Sequence, residues 1–88
     1  MEFEWNEWKR AANLAKHGLD FAYIERLDWT SARIERDHRF DYGEDRFIAV
    51  GALDGALVAV AFTPRGGITR IVSMRPASRR ERARHDES

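Results

Sequence analysis

Residues 46–75 read RFIAVGALDGALVAVAFTPRGGITRIVSMR, and the fold turns on this stretch. Three runs, Arg46–Leu53, Ala56–Thr63 and Ile68–Arg75, carry the β-branched and aromatic residues that suit strands, and turn residues separate them. Asp54-Gly55 is the strongest short hairpin signal, because a type I′ turn needs positive φ at both central residues. Thr63-Pro64-Arg65-Gly66 fits a type I turn, with proline second and glycine fourth, which would hold Arg65 at the tip. The three runs are therefore expected to form an antiparallel meander. Pro76 pushes Arg75 towards extended geometry and ends the ladder. Ala32 to Glu35 can supply a further strand, so three to four antiparallel strands are expected.

Upstream, Phe3 to Trp5 alternates apolar and acidic residues, as a short edge strand would, and Asn6 offers an N-cap. Trp8, Ala11, Ala12, Ala15 and Leu19 follow the spacing of one helical face, which predicts a first helix that buries them. Lys16-His17-Gly18 should end it, with glycine in the left-handed conformation and two cations at the negative end of the dipole. Asp20 can cap a second, shorter helix with Phe21, Ile24 and Leu27 inward. Downstream, Ser78-Arg79-Arg80-Glu81 is a capping box that opens a short terminal helix. Ala83 is that helix's only aliphatic residue, and such a helix is marginal alone. The expected architecture is α+β: a short strand and two helices, the meander, then a terminal helix.

Eighty-eight residues make one domain with one core, residues 1–88. A 43% hydrophobic and 34% charged composition is that of a globular chain. No apolar run approaches a membrane span, and the acidic N-terminus lacks a secretory signal, so the chain reads as cytoplasmic. Zero cysteines exclude disulfides, thiolate metal sites and thiol nucleophiles. The net charge of zero conceals a split. Up to Asp45, seven basic residues face eleven acidic ones, an excess of four negative charges; from Arg46 onward, eight arginines face four acids, an excess of four positive charges. Arginine as the only basic type in the second half favours two-point contact with phosphate, hence a polyanionic partner. A mixed, solvated surface is the alternative.

Several constellations carry possible chemistry. Arg79 and Arg80 occupy the first turn of the terminal helix, against its dipole. A phosphate bound there would convert repulsion into an anion site; otherwise both side chains splay into water. Arg70 interrupts an apolar pattern, so it must pair with a carboxylate or face a wet groove. Arg46, close to a strand end, can phosphate-bind or form a surface ion pair with Glu44 or Asp45. The loop Asp37 to Glu44 holds His38, Phe40, Tyr42 and Glu44. These types suit metal-free RNA cleavage, with a base for the 2′-hydroxyl and an aromatic to stack a nucleobase, or they form an ordinary polar loop. His17, His38 and His85 lack metal-ligand spacing, and no motif for a metal or cofactor is present.

Together, Phe3-Glu4-Trp5, Ala12-Asn13-Leu14-Ala15-Lys16-His17-Gly18, the run Asp41 to Gly51 and the run Arg70 to Glu81 resemble the BrnT family, small ribonuclease toxins of type II toxin–antitoxin systems. The resemblance runs in order over most of the chain. It implies a RelE-like fold, RNA cleavage, neutralisation by a BrnA-type antitoxin that carries a DNA-binding segment, and a toxin–antitoxin complex, expected to be 2:2, that binds operator DNA. By the same resemblance, Arg46, Arg75, Arg79 and Arg80 are the catalytic basic residues. Arginine, with a pKa above ~12, is a poor general base. These four are therefore expected to bind phosphate and offset transition-state charge, with Glu44 or His38 as proton acceptor. Arg65, Arg70, Arg82 and Tyr42 are the expected further substrate contacts, and neither metal nor cofactor is expected. The zero net charge departs from the strongly basic character of many ribosome-associated nucleases. The alternative is a non-catalytic RNA- or antitoxin-binding module of the same fold.

Overall fold

The computed structural model describes residues 1–87. In chain order they form β1 (Glu2–Trp5), α1 (Glu7–His17), a 3-10 segment (Phe21–Arg26), β2 (Arg33–Arg36), β3 (Phe47–Leu53), β4 (Ala56–Arg65), β5 (Ile68–Pro76) and α2 (Arg79–Asp86). The strands make one sheet in the order β1-β5-β4-β3-β2. This corrects the expected three- to four-stranded antiparallel sheet: there are five strands, and β1 runs parallel to β5. The first strand lies beside the last because two helical segments and the whole meander separate them in sequence. A parallel neighbour needs such a long connection.

The first hairpin forms as expected, with Asp54 and Gly55 at φ of 51° and 86° and Leu53 opposite Ala56. The second is tighter than expected. Gly66 and Gly67 take φ of 55° and 87°, and Arg65 pairs with Ile68. Two glycines supply the positive φ of a two-residue turn without steric cost, so Pro64 and Arg65 belong to β4 and Arg65 is not the tip. Pro64 lies past the last β3–β4 pair, Phe47 with Phe62, where its missing amide interrupts no β3 ladder.

The β4–β5 ladder contains a bulge. Phe62 pairs with Ile71 but Ala61 pairs with Ser73, leaving Val72 unmatched. An unmatched residue exchanges the faces of everything after it. Ile71 and Met74, three apart, therefore both enter the core, while Arg75 lies in one row with Val50 and Ala59 on the opposite face.

The core packs one sheet face against the 3-10 segment. Phe21, Ile24 and Leu27 are buried as expected, with Leu53, Val58, Val60, Ile71 and Met74. Phe3 stacks on Trp29 at 5.9 Å between ring centroids, and Trp29 meets Phe62 edge-on at 5.6 Å. On the other face α2 covers only a patch, where Val50, Ala59 and Ala77 meet. The rest of that face is open.

α1 begins and ends as its sequence predicts. Asn6 accepts the Lys9 amide at 3.1 Å, and Gly18, at φ 70°, donates to the Leu14 carbonyl. Its orientation corrects the sequence reading: Trp8, Ala11, Ala12 and Ala15 face solvent, and Arg10, Asn13 and His17 are the shielded positions. Polar bonding sets this orientation. β5 continues beyond its last β1 pair, Trp5 with Ile71, and there the Met74 amide donates to Asn13 Oδ1 at 3.1 Å. Asn13 Nδ2 donates to the Leu19 carbonyl at 3.0 Å, and Arg10 pairs with Asp20 at 3.1 Å. A buried amide left without a partner is costly, and only this side of the helix carries the groups that satisfy the Met74 amide, the Leu19 carbonyl and Asp20. Among the described residues no helix is long and apolar enough to cross a membrane.

Candidate functional site

A groove of about 540 Å³ lies on the open sheet face, between α2 and the loop that follows β2. Its floor is Ile48 and Val50, brought to this face by the alternation of β3. Arg33 and Glu35 of β2 flank the floor, because they pair with Val50 and Ile48. Arg75 enters from β5, by virtue of the bulge. Six arginines against three acids line the groove, together with His38, so it attracts anions.

The α2 side is held by Glu81. Arg75 Nη1 and Nη2 donate to Glu81 Oε1 and Oε2 at 2.6 and 3.0 Å. Oε1 also accepts the Ser78 amide at 2.8 Å, and Ser78 Oγ accepts the Glu81 amide at 3.1 Å, which completes the capping box. The Arg75 guanidinium and then the Ser78 amide hold the Glu81 carboxyl down to about 2. The positive first turn of α2 is thus offset by the protein's own carboxylate; nothing in this geometry requires a bound phosphate. At the other end of α2, Glu35 bridges Arg33 and Arg84 at 3.1 and 2.6 Å, tying the helix to β2.

Across the groove, Asp37 accepts from Arg39 Nε and Nη2 at 3.0 and 2.9 Å and from the Tyr42 hydroxyl at 3.0 Å. The Arg39 contact leads in keeping this buried carboxyl well below the usual carboxylate range. Asp37 also donates its amide to the Arg46 carbonyl at 2.8 Å, closing the loop at its base. Arg36 pairs with Asp45. Beyond the loop is a second cluster. The Arg46 guanidinium lies 4.1 Å from the centre of the Tyr42 ring, and Glu44 accepts from Arg46 and Arg65 at 3.1 and 3.2 Å. Arg46 and then Arg65 lower the Glu44 pKa, and a lowered pKa makes it a weak proton acceptor.

The expected site residues therefore separate. Arg75, Arg80 and His38 share the groove; Glu44, Arg46 and Tyr42 line the adjoining loop pocket, and His38 lines both. His38 is exposed and makes no hydrogen bond within the described residues, which leaves its ring free to meet a substrate. Arg65 reaches the loop cluster only through Glu44. Arg79 and Arg82 are exposed and lie outside both pockets. Arg70 donates to Glu4 at 2.8 Å at the β1 edge, so it pairs rather than facing the groove. Among the described residues, no group of three or more His, Asp or Glu side chains is placed to hold a metal ion.

Arg33, Glu35 and Arg84 do not stand out in the sequence, and Glu81 reads there only as a cap. Strand alternation from the Asp54-Gly55 turn would have put Ile48 and Val50 on one face. Nothing local announces the Arg75–Glu81 and Glu35–Arg84 contacts.

The chain matches, over residues 5–81, the family described as ribonuclease toxin, BrnT, of type II toxin–antitoxin systems. No curated protein matches it.

Proposed function

The chain belongs to the BrnT family of ribonuclease toxins of type II toxin–antitoxin systems, and on that premise we propose that it is an endoribonuclease using the substrate's own 2′-hydroxyl, without a metal ion, in the groove beside α2. The observation that carries this reading is the convergence of Arg75, Arg80 and His38 on one cationic groove with an apolar floor. Arg75 and Arg80 hold the scissile phosphate and offset charge as it develops. His38 accepts the 2′-hydroxyl proton. The 2′-oxygen bonds to phosphorus, the bond to the 5′-oxygen breaks, and that oxygen takes a proton from the imidazolium or from water. The products are a 2′,3′-cyclic phosphate and a 5′-hydroxyl. Tyr42, stacked under Arg46, offers a flat surface for a base beside the cleaved bond, and Arg46, Arg65, Arg79 and Arg82 steer the strand towards it.

The partner on this reading is a BrnA-type antitoxin, in a 2:2 complex that binds operator DNA through the antitoxin, and the arrangement of sheet and terminal helix is read as RelE-like. A non-catalytic RNA- or antitoxin-binding module is the second reading. One observation favours it: arginines hold Asp37, Glu44 and Glu81 ionised, so none of these three carboxyls donates a proton to the leaving oxygen.

A single-stranded RNA incubated with the purified protein in EDTA separates the two. Cleavage to a cyclic phosphate, blocked by a 2′-deoxy nucleotide at the scissile position, supports the enzyme. A requirement for added divalent cation, or cleavage of the deoxy-substituted strand, refutes the mechanism. Intact RNA that is still bound establishes the module.

A further inference from the structure

The apolar side of α1 has no partner among the described residues. Trp8 is 86% exposed, and Ala11, Ala12 and Ala15 are exposed beside it. At 100° per residue these four span roughly 100° of the helix surface, the width of a packing face. Asn13, which anchors the helix to β5, lies on the other side. No residue of α1 lines the groove, so the face is separate from the proposed cleavage site.

We propose that this face of α1 is a docking surface for an acidic amphipathic helix of the cognate protein antitoxin. The partner's existence follows from the family; the surface rests on the geometry of α1 and not on the cleavage mechanism. Three alanines let another helix approach closely, and Trp8 is the large aromatic anchor that such interfaces centre on. The flank supplies the charge preference. Lys9 and Lys16 are exposed, seven residues and about 10 Å apart along one line of the helix. Neither makes an ion pair among the described residues, whereas Arg10 is paired with both Glu7 and Asp20. An occupant with carboxylates two turns apart would meet both lysines. A second copy of α1 fits less well. In a two-fold antiparallel contact like flanks meet, which sets Lys9 against the other copy's Lys16.

The test is titration of the full-length toxin with its antitoxin, by calorimetry, in wild type, Trp8→Ala, Ala12→Arg and the double change Lys9→Glu with Lys16→Glu. Trp8→Ala should weaken binding at least tenfold and Ala12→Arg more. The double reversal should weaken binding and reduce its salt dependence. Thermal melting checks folding, and RNA cleavage by each free variant should equal wild type. Unchanged affinity in Ala12→Arg overturns the proposal, as does wild-type toxin that binds no antitoxin. Concentration-dependent dimerisation of the free toxin that Ala12→Arg abolishes would assign the face to a second copy instead. A wild type that binds antitoxin through this face but leaves RNA intact refutes the cleavage reading alone.

Discussion

Arg75 and Glu81 face each other in a two-point contact, Nη1 to Oε1 at 2.6 Å and Nη2 to Oε2 at 3.0 Å. The contact joins the last strand to the first turn of the last helix. It also fixes the plane of the guanidinium at the α2 side of the groove, where a phosphate would have to meet it.

Glu81→Gln separates the two duties of this side chain. Glutamine can serve at the third position of a capping box, so helix content should persist while the charge on Arg75's partner is lost. Stability should fall by about 1 kcal/mol or less, since the pair is partly solvated, and RNA cleavage should fall more than melting suggests. Glu81→Ala removes the cap as well and should cost about 2 kcal/mol. Urea unfolding and single-turnover cleavage check both; equal stability losses in the two variants would deny that the cap survives in Glu81→Gln.

The depressed Glu81 pKa makes a signed statement about acid stability. From an ordinary value of 4.5 it falls to about 2 in the folded protein. Its contribution is therefore complete above pH 4.5 and is lost as pH falls towards 2. Between those limits wild type should lose on the order of 1 kcal/mol more than Glu81→Gln, after allowance for solvent. Parallel urea curves at pH 6 and pH 3 measure the difference.

His38→Gln should lower the cleavage rate by about 10²-fold or more, the usual scale for loss of a general base. Because the ring is exposed and makes no hydrogen bond within the described residues, the melting temperature should not move. A pH–rate profile of the variant that keeps the wild-type acid limb would transfer the base role to another group.

Arg80 and Arg79 are neighbours in sequence, but only Arg80 lines the groove. Arg80→Ala should weaken single-stranded RNA binding and reduce the log–log salt slope by about 0.7, one phosphate contact. Arg79→Ala should do less on both measures. Filter binding over a salt series decides between them.

Asn13→Ala leaves the buried Met74 amide without its acceptor and the Leu19 carbonyl without its donor. The expected loss is about 2–3 kcal/mol, and amide hydrogen exchange at Met74 should accelerate. Wild-type stability in this variant would mean that α1 is not held through Asn13.

Much of the fold is legible in local chemistry. Asp54-Gly55 sets one hairpin, Asn6 and Gly18 bound α1, Phe21, Ile24 and Leu27 point inward, and Ser78 with Glu81 starts α2. Each depends on residues a few positions apart, where backbone sterics and short-range hydrogen bonds dominate. The candidate site is less legible. His38, Arg75 and Arg80 stand out as candidates in the sequence, but their sharing of a groove apart from Arg46 and Glu44 depends on contacts between distant segments.

Two features lie beyond any local reading, for one physical reason. In an unbroken ladder counted from the Gly66-Gly67 turn, Arg75 would pair with Val58 and point into the core, and Met74 would point out. The bulge at Val72 reverses both, because burying an unpaired guanidinium costs far more than one interrupted ladder step. Likewise, the periodicity of Trp8, Ala11, Ala12 and Ala15 is present in the sequence and points outward in the fold. The free Met74 amide at the sheet edge, created by where β1 ends, draws the Asn13 side of the helix inward. Sequence patterns say which residues can share a face; which face meets the sheet is settled by the polar groups that the rest of the chain leaves to be satisfied.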